Sequence, residues 1–258
     1  MGNEIEDVPD ISAEWYREVT AFALHTPAWV RHAAGIATDA VPAILFAFLV
    51  LGWWRARRED DRRMALALLA PVAVVTAYLA SEGVKSVLRL RRPCWDLADV
   101  VTVAHCPPYG DWSLPSNHAT FAAAAAVALA VLWRGMAVVA PVLALLEAFS
   151  RVFVGVHYPH DVAAGLLFGA LIAPLVLLAP RSSATALVAA MRRRPALAAV
   201  LTTARQSRLV GDDRGPHPVG HAELSQDRAF PSPPWSGPGS GAGRGPRARG
   251  RVRTARCP

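Results

Sequence analysis

The sequence predicts an all-α, polytopic membrane bundle with about five transmembrane helices, preceded by an amphipathic helix at the membrane surface. Hydrophobic residues make up 53% of the 258 residues, and the mean hydropathy of +0.28 is high for a soluble domain. The apolar residues form blocks whose lengths approach the roughly 20 residues that an α-helix needs to cross a bilayer. Charged residues are concentrated between these blocks and after the last one.

The N-terminal segment, residues 1–30, contains one predicted amphipathic helix. Ile11, Trp15, Val19 and Phe22 recur at helical spacing, and charged residues lie between them. The segment is too polar to span a bilayer, so we expect it to lie at the membrane surface. A soluble helix packed on its own core is the less favoured alternative, because no soluble core follows it.

The predicted transmembrane domain, residues 31–182, contains five apolar stretches. They are residues 33–54, 64–84, 117–133, 136–149 and 162–180. The third and fourth are joined only by Arg134 and Gly135, which predicts a tight helical hairpin. Arginines are abundant after the first and the fifth stretches, so the positive-inside rule predicts that those regions are cytoplasmic. The N-terminus and the segments 85–115 and 150–161 then face the opposite side.

The remaining residues, 183–258, are predicted to form a basic, largely disordered cytoplasmic tail. From residue 181 onward the chain holds 14 Arg against 4 acidic residues, and residues 211–258 contain 17 Gly and Pro. Such a segment cannot bury enough apolar surface to offset the entropy lost on ordering. Its arginines could contact anionic lipids. We expect no nucleic-acid partner, because no recognition motif accompanies them.

Three polar motifs flank the predicted spans. In the first, Lys85, Arg89 and Arg92 would share one face of a helix that continues to Pro93. A phosphate among them would relieve their mutual repulsion; cations that snorkel to the membrane interface are the alternative. The second motif is Pro115-Ser116-Asn117-His118 at the start of the third span. A helix N-terminus favours anions, and His118 could donate a proton there; a simple N-cap and an interfacial histidine are the alternative.

The third motif covers residues 150–161 and contains Arg151, His157 and Asp161. His157 precedes Asp161 by four residues, so the carboxylate can orient one imidazole nitrogen and leave the other free to attack. Glu147, one turn before Arg151, would either pair with an arginine of this site or be a tolerated polar residue in the bundle. The predicted topology brings all three motifs to the same side of the membrane.

In order and spacing, the motifs resemble the type 2 phosphatidic acid phosphatase superfamily of membrane lipid phosphatases. The resemblance covers roughly residues 30–180. It implies that His157 is a nucleophile forming a phosphohistidine, that Asp161 orients it, and that His118 is the general acid. It implies phosphate binding by a set that we name the predicted phosphate clamp: Lys85, Arg92, Ser116 and Arg151. Asn117 is also expected to bind phosphate, but it stands where the family usually has a glycine whose N–H approaches phosphate closely. Because Asn tolerates unusual backbone angles, we expect activity to survive with altered geometry or selectivity.

This resemblance implies metal-independent hydrolysis of a lipid phosphate or diphosphate, without a cofactor. We favour an isoprenyl diphosphate such as undecaprenyl diphosphate, cleaved at the extracytoplasmic face of a bacterial plasma membrane. Phosphatidic acid and phosphatidylglycerophosphate are the alternative substrates, and a non-catalytic lipid-phosphate binder or transporter is the alternative function. The expected partners are the lipid substrate and membrane lipids. Cys94 and Cys106 lie in one loop and form either a disulfide or two free thiols; with Cys257 they make no metal-ligand pattern.

Overall fold

The computed structural model describes residues 9–97 and 100–202, and within that part the chain forms nine α-helices and no β-strand. The helices are α1 Asp10–His25, α2 Ala28–Ala56, α3 Asp61–Leu88, α4 Pro93–Asp96, α5 Asn117–Leu132, α6 Met136–Phe153, α7 Pro159–Leu178, α8 Arg181–Arg192 and α9 Pro195–Leu201. Four of them, α2, α3, α6 and α7, are long and apolar enough to cross a membrane. The apolar α5 has 16 residues. The predicted all-α membrane bundle is confirmed, and the protein is an integral membrane protein.

Helix α5 lies at the centre of the bundle and packs against α2, α3, α6 and α7. Its alanine-rich sequence leaves a thin helix that its neighbours can approach closely, as is common between helices in membranes. On α7, Gly165 and Gly169 face this helix. A Cβ added at Gly165 would lie 2.5 Å from the Ser116 carbonyl oxygen, and one at Gly169 would lie 2.3 Å from that of Thr120. Backbone therefore packs directly on backbone where α5 meets α7.

Helix α1 packs against α6 and α7 through its more polar face. The buried residues of α1 are Ser12, Ala13, Tyr16, Thr20 and Ala23. The Tyr16 hydroxyl donates a hydrogen bond of 2.9 Å to the Gly155 carbonyl. Ile11, Trp15 and Phe22, in contrast, are more than half exposed. The predicted apolar stripe thus points away from the protein, apart from Val19, which packs inward; its place at the membrane surface stays a prediction.

The first part of the predicted tail is helical rather than irregular. Residues 184, 188 and 191 of α8 form an apolar stripe that packs on the main core, and Val188 is buried. The Arg192 guanidinium also pairs with the Asp61 carboxylate at 2.8 Å, which ties α8 to the start of α3. Three apolar residues at helical spacing were therefore enough to extend the folded part beyond residue 183. Residues 203–258, where we predicted disorder, lie outside the described residues.

Candidate active site

The three polar motifs meet at one end of the bundle. The Ser116 N–H donates a hydrogen bond of 3.0 Å to the Asp161 carbonyl, which joins the start of α5 to the first turn of α7. Arg92 donates through Nη1 to the Val156 carbonyl at 3.0 Å, and this bond links the first motif to the third. The close packing of α5 on α7 holds these chain segments in register.

The first motif is not a continuous helical stripe, and this expectation is wrong. Helix α3 ends at Leu88, because Arg89 adopts a left-handed backbone conformation with φ of 51°. Arg89 is exposed, and its Nε donates to the Ser86 carbonyl at 3.1 Å. Arg92 instead precedes α4, and the reversed chain brings it to Lys85; both side chains are almost fully buried. Lys85 and Arg92 are therefore close in space because of tertiary contacts, and not because they share one face of a helix.

His157 is 1% exposed, and its two ring nitrogens face different groups. The Arg92 Nη1 lies 3.0 Å from Nε2. Because a guanidinium can only donate, Nε2 must accept and Nδ1 must carry the proton. Nδ1 lies 3.4 Å from the Asp161 Oδ2. Burial lowers the pKa of His157 to about 3 and the charge of Arg92 adds to this effect, although Asp161 opposes it. The imidazole is therefore neutral at physiological pH.

Asp161 is fully buried and held by several donors. Its Oδ2 accepts from the Tyr158 N–H at 2.8 Å and from the Ser113 hydroxyl. The Ser113 hydroxyl also lies 3.3 Å from the His157 Nδ1. Ser113 was missed from the sequence, since a single serine in a loop carries no spacing signal. It bridges the carboxylate and the imidazole, so it fixes the orientation of both.

Arg151 is buried and is oriented from α2. Its Nη1 donates to the Thr38 hydroxyl at 2.8 Å, and the Thr38 hydroxyl lies 3.2 Å from that of Ser150. Glu147 is fully buried, but neither carboxylate oxygen has a hydrogen-bond partner among the described residues. It makes no salt bridge to Arg151 within 4.0 Å in that part of the chain, although the two charges interact at longer range. The structure therefore does not form the ion pair suggested for Glu147.

The second motif begins α5. Ser116 occupies the N-cap position, but its buried hydroxyl makes no capping bond and has no partner among the described residues. Asn117 turns its side chain to α3, where it accepts from the Ser81 hydroxyl at 2.7 Å and donates to Glu82. At the N-terminus of α5, Asn117 thus offers only its backbone N–H group, because its side chain is bonded to α3. His118 is half-buried, and its charged neighbours include Arg151 and Lys85.

One carboxylate of the site was not predicted. The Oδ1 of Asp111 lies 3.2 Å from the Lys85 Nζ and 2.9 Å from the Arg92 Nη2. The Arg92 Nε also donates to the Asp111 carbonyl at 2.6 Å. Burial alone would raise the pKa of Asp111, but the charges of Arg92 and Lys85 outweigh it and hold the pKa below its ordinary value. Asp111 is therefore ionised, and its carboxylate pairs with Lys85 and Arg92, two cations of the predicted phosphate clamp.

A disulfide joins Cys94 to Cys106, whose Cα atoms are 5.9 Å apart, and closes the segment just before Asp111 and Ser113. Of the two alternatives for these cysteines, a disulfide or two free thiols, the structure has the disulfide. Trp95 donates to the Pro107 carbonyl at 2.9 Å and packs on Tyr109 and Trp112. Within residues 9–97 and 100–202, no group of three or more His, Cys, Asp or Glu side chains is arranged to hold a metal ion.

Residues 66–184 match the model of the PAP2 superfamily. Over 112 residues the chain is 33% identical to an undecaprenyl-diphosphatase of Sulfolobus acidocaldarius, a match that covers 43% of this chain and 52% of that protein. Over 116 residues it is 33% identical to a decaprenylphosphoryl-5-phosphoribose phosphatase of Mycobacterium tuberculosis, covering 45% of this chain and 62% of that protein. The chain thus spans only about half to three fifths of the length of these relatives.

Two crystal structures have a similar fold. The first is a transmembrane PAP2-type phosphatidylglycerolphosphate phosphatase from Bacillus subtilis, with a TM-score of 0.50, 21% identity and coverage of 65% of this chain and 85% of that one. The second is LpxE from Aquifex aeolicus, with a TM-score of 0.52, 20% identity and coverage of 67% and 98%. Residues 66–184 of the chain thus carry a match to the PAP2 superfamily model, and the two crystal structures share the fold of the bundle.

Proposed function

We propose that the protein is a membrane phosphatase that hydrolyses a lipid phosphate or diphosphate through a phosphohistidine on His157. The observation that carries this proposal is the environment of that imidazole. It is buried and neutral, its Nδ1 faces Asp161, and its Nε2 lies 3.0 Å from the Arg92 guanidinium. The lone pair of Nε2 is thus held beside the Arg92 cation. Because this cation can neutralise the oxygens of a phosphoryl group, the lone pair is suited to attack the phosphorus atom.

In the first step, the predicted phosphate clamp holds the oxygens of the phosphoryl group. The Ser116 hydroxyl, which has no partner among the described residues, and the N-terminus of α5 add donors to the cations. The negative charge of the bound phosphate favours the protonated form of His118. The His157 Nε2 attacks phosphorus and forms the P–N bond while the P–O bond to the leaving group breaks. His118 donates its proton to the departing oxygen. Asp161 stabilises the positive charge that develops on the imidazole of His157.

In the second step, water attacks the phosphohistidine. His118, now neutral, takes a proton from that water as the P–O bond forms. The P–N bond breaks, its electron pair returns to Nε2, and inorganic phosphate leaves. His157 then regains its hydrogen bond from Arg92, so the cycle closes with all residues in their starting states. In this scheme the protein side chains supply both the charge neutralisation and the proton transfers.

For the substrate we propose an isoprenyl diphosphate, converted to its monophosphate and inorganic phosphate. The names of the two relatives, one acting on an undecaprenyl diphosphate and one on a decaprenylphosphoryl sugar phosphate, support a long isoprenyl chain. Phosphatidic acid and phosphatidylglycerophosphate are the alternatives. We further propose that the site faces the extracytoplasmic side of a bacterial plasma membrane. The arginine-rich connection between α2 and α3 lies at the opposite end of α3 from Lys85, which supports this orientation.

The test is phosphate release from undecaprenyl diphosphate by the detergent-purified full chain in EDTA. Wild type is compared with His157→Ala and with the matched control His105→Ala, since His105 is an exposed loop residue. We expect release by wild type and by His105→Ala, and none above background by His157→Ala. Equal release by all three proteins would refute the nucleophile. Release only from phosphatidic acid or phosphatidylglycerophosphate would refute the isoprenyl substrate, and lipid binding without any release would favour a non-catalytic binder.

A further inference from the structure

The carboxylate of Asp111 occupies a place where the substrate phosphate has to bind. One oxygen, Oδ1, contacts both the Lys85 Nζ at 3.2 Å and the Arg92 Nη2 at 2.9 Å. A phosphate oxygen bridging the same two cations would lie at the same distances from them. Asp111 and a bound phosphate therefore compete for these two groups.

The burial of the three side chains differs in a way that favours exchange. The side chains of Lys85 and Arg92 are 4% and 3% exposed, whereas that of Asp111 is 45% exposed. The two cations are thus fixed in the bundle, while the carboxylate enters from the surface and can return to water. Asp111 and Lys85 both line an open cavity of about 190 Å³, so the carboxylate has room on its exposed side.

The backbone at Asp111 is held in place, so only its side chain has to move. The Asp111 carbonyl accepts from the Arg92 Nε at 2.6 Å, and the Asp111 N–H donates to the Pro108 carbonyl at 3.2 Å. Two residues later, the Ser113 N–H donates to the Leu90 carbonyl at 2.8 Å, which anchors the residue that orients His157 and Asp161. The carboxylate can therefore rotate outward while that orientation is kept.

We propose that Asp111 is a resident counter-anion of the predicted phosphate clamp, which the substrate phosphate displaces. This inference rests on the proposed function. A terminal phosphate carries a charge near −2 at neutral pH. It attracts Lys85 and Arg92 more strongly than the carboxylate that it replaces. In the empty site Asp111 keeps the two buried cations paired, and any anion that binds there has to displace it.

The neutral variant Asp111→Asn removes this competition while keeping the size of the side chain. A hydrogen bond to a charged group is worth enough that its loss from the empty site tightens phosphate binding by about tenfold. The affinities for methyl phosphate, a dianion, and dimethyl phosphate, a monoanion, rise by the same factor, because both ligands have to displace Asp111 and the cost of doing so is common to them. Asp111→Glu keeps the charge and is expected to bind phosphate within about twofold of its parent.

The experiment measures, by titration calorimetry, the equilibrium binding of inorganic phosphate, methyl phosphate and dimethyl phosphate to the full chain in detergent. All variants carry His157→Ala, so no covalent step intervenes. Asp96→Asn is the matched control, because Asp96 pairs with Arg91 at 2.6 Å outside the clamp. Tighter binding of all three ligands by a similar factor in Asp111→Asn alone supports the proposal.

Unchanged or weaker phosphate binding by Asp111→Asn would overturn the inference, since Asp111 would then support the clamp rather than fill it. This result leaves the proposed function intact as long as the parent binds phosphate. If the parent binds none of the three ligands, the proposed phosphate site itself fails, and this inference fails with it. A folding defect in Asp111→Asn is recognised from its thermal unfolding, and Asp111→Ala then provides the neutral side chain with the same expected result.

Discussion

The Gly169→Ala substitution would place a methyl group inside the contact between α5 and α7. The new Cβ would lie 2.3 Å from the Thr120 carbonyl oxygen and 2.9 Å from the Ala124 nitrogen, and both are backbone atoms that cannot rotate away. Ordinary contacts between heavy atoms are about 3.5 Å, so α7 would have to move from α5 by about 1 Å. Overpacking of this kind costs about 1–3 kcal/mol.

Gly83→Ala is the matched control for this substitution. Gly83 also lies within a helix, α3, but a Cβ there would meet nothing within 4 Å. Because alanine has the higher helix propensity, we expect Gly83→Ala to leave the stability unchanged or raise it by up to about 1 kcal/mol. The assay is denaturant unfolding of both variants in the same detergent. A loss of about 2 kcal/mol for Gly169→Ala is expected, and equal stability of the two variants would refute the close packing of α5 on α7.

Three further predictions concern the site and its loop. Ser113→Ala removes the hydroxyl between His157 and Asp161, so steady-state kinetics should show a kcat about tenfold lower at unchanged KM; a changed KM alone would contradict this role. The pKa of His157 is about 3 in the folded protein against an ordinary 6.5, so the unfolded chain binds the proton more tightly. The contribution of the neutral His157 to the free energy of unfolding is therefore fully present above pH 6.5, and it falls as the pH decreases from 6.5 toward 3. Between pH 7 and 5 the free energy of unfolding is expected to fall by about 2 kcal/mol in wild type, and this loss should be absent in His157→Gln. Denaturant unfolding at both pH values measures the loss. An equal loss in the two proteins would contradict a lowered pKa of His157. Replacing Cys94 and Cys106 by serine should lower the stability by about 3 kcal/mol; an unchanged melting temperature on reduction would argue against the disulfide.

The spans could be predicted because bilayer chemistry leaves a strong pattern in the sequence. Long apolar blocks became α2, α3, α6 and α7, and the alanine-rich block became α5. The order of the three motifs was enough to indicate the family, since each motif lies at the end of a predicted span. Topology alone then predicts that they face the same side.

The path of the chain between the motifs could not be predicted. Three cations at helical spacing suggested one continuous stripe, but α3 stops at Leu88 and Arg89 takes a left-handed conformation. The chain leaves the helix there and makes tertiary contacts, such as the hydrogen bond from the Ser113 N–H to the Leu90 carbonyl. A local pattern does not contain such a bond between residues far apart in the sequence.

Asp111 and Ser113 were missed for a related reason. Each is a single polar residue in a loop, where polar residues are common and no periodicity marks a particular one. Only the closed loop brings one to the cations and the other to His157 and Asp161. The packing of α1 was not predicted either: its amphipathic spacing indicated only a helix at the membrane surface, whereas Tyr16 is buried against the α6–α7 junction.

In the proposed reaction the Nε2 of His157 becomes covalently bound to phosphorus. The most direct measurement is rapid quenching of the full chain during turnover of lipid substrate with a radiolabelled terminal phosphate, followed by peptide mapping. We expect label that is stable to base and labile to acid, on the peptide that contains His157, in wild type and not in His157→Ala. Turnover with no trapped label in wild type, or the same label in His157→Ala, would contradict a phosphohistidine at this residue.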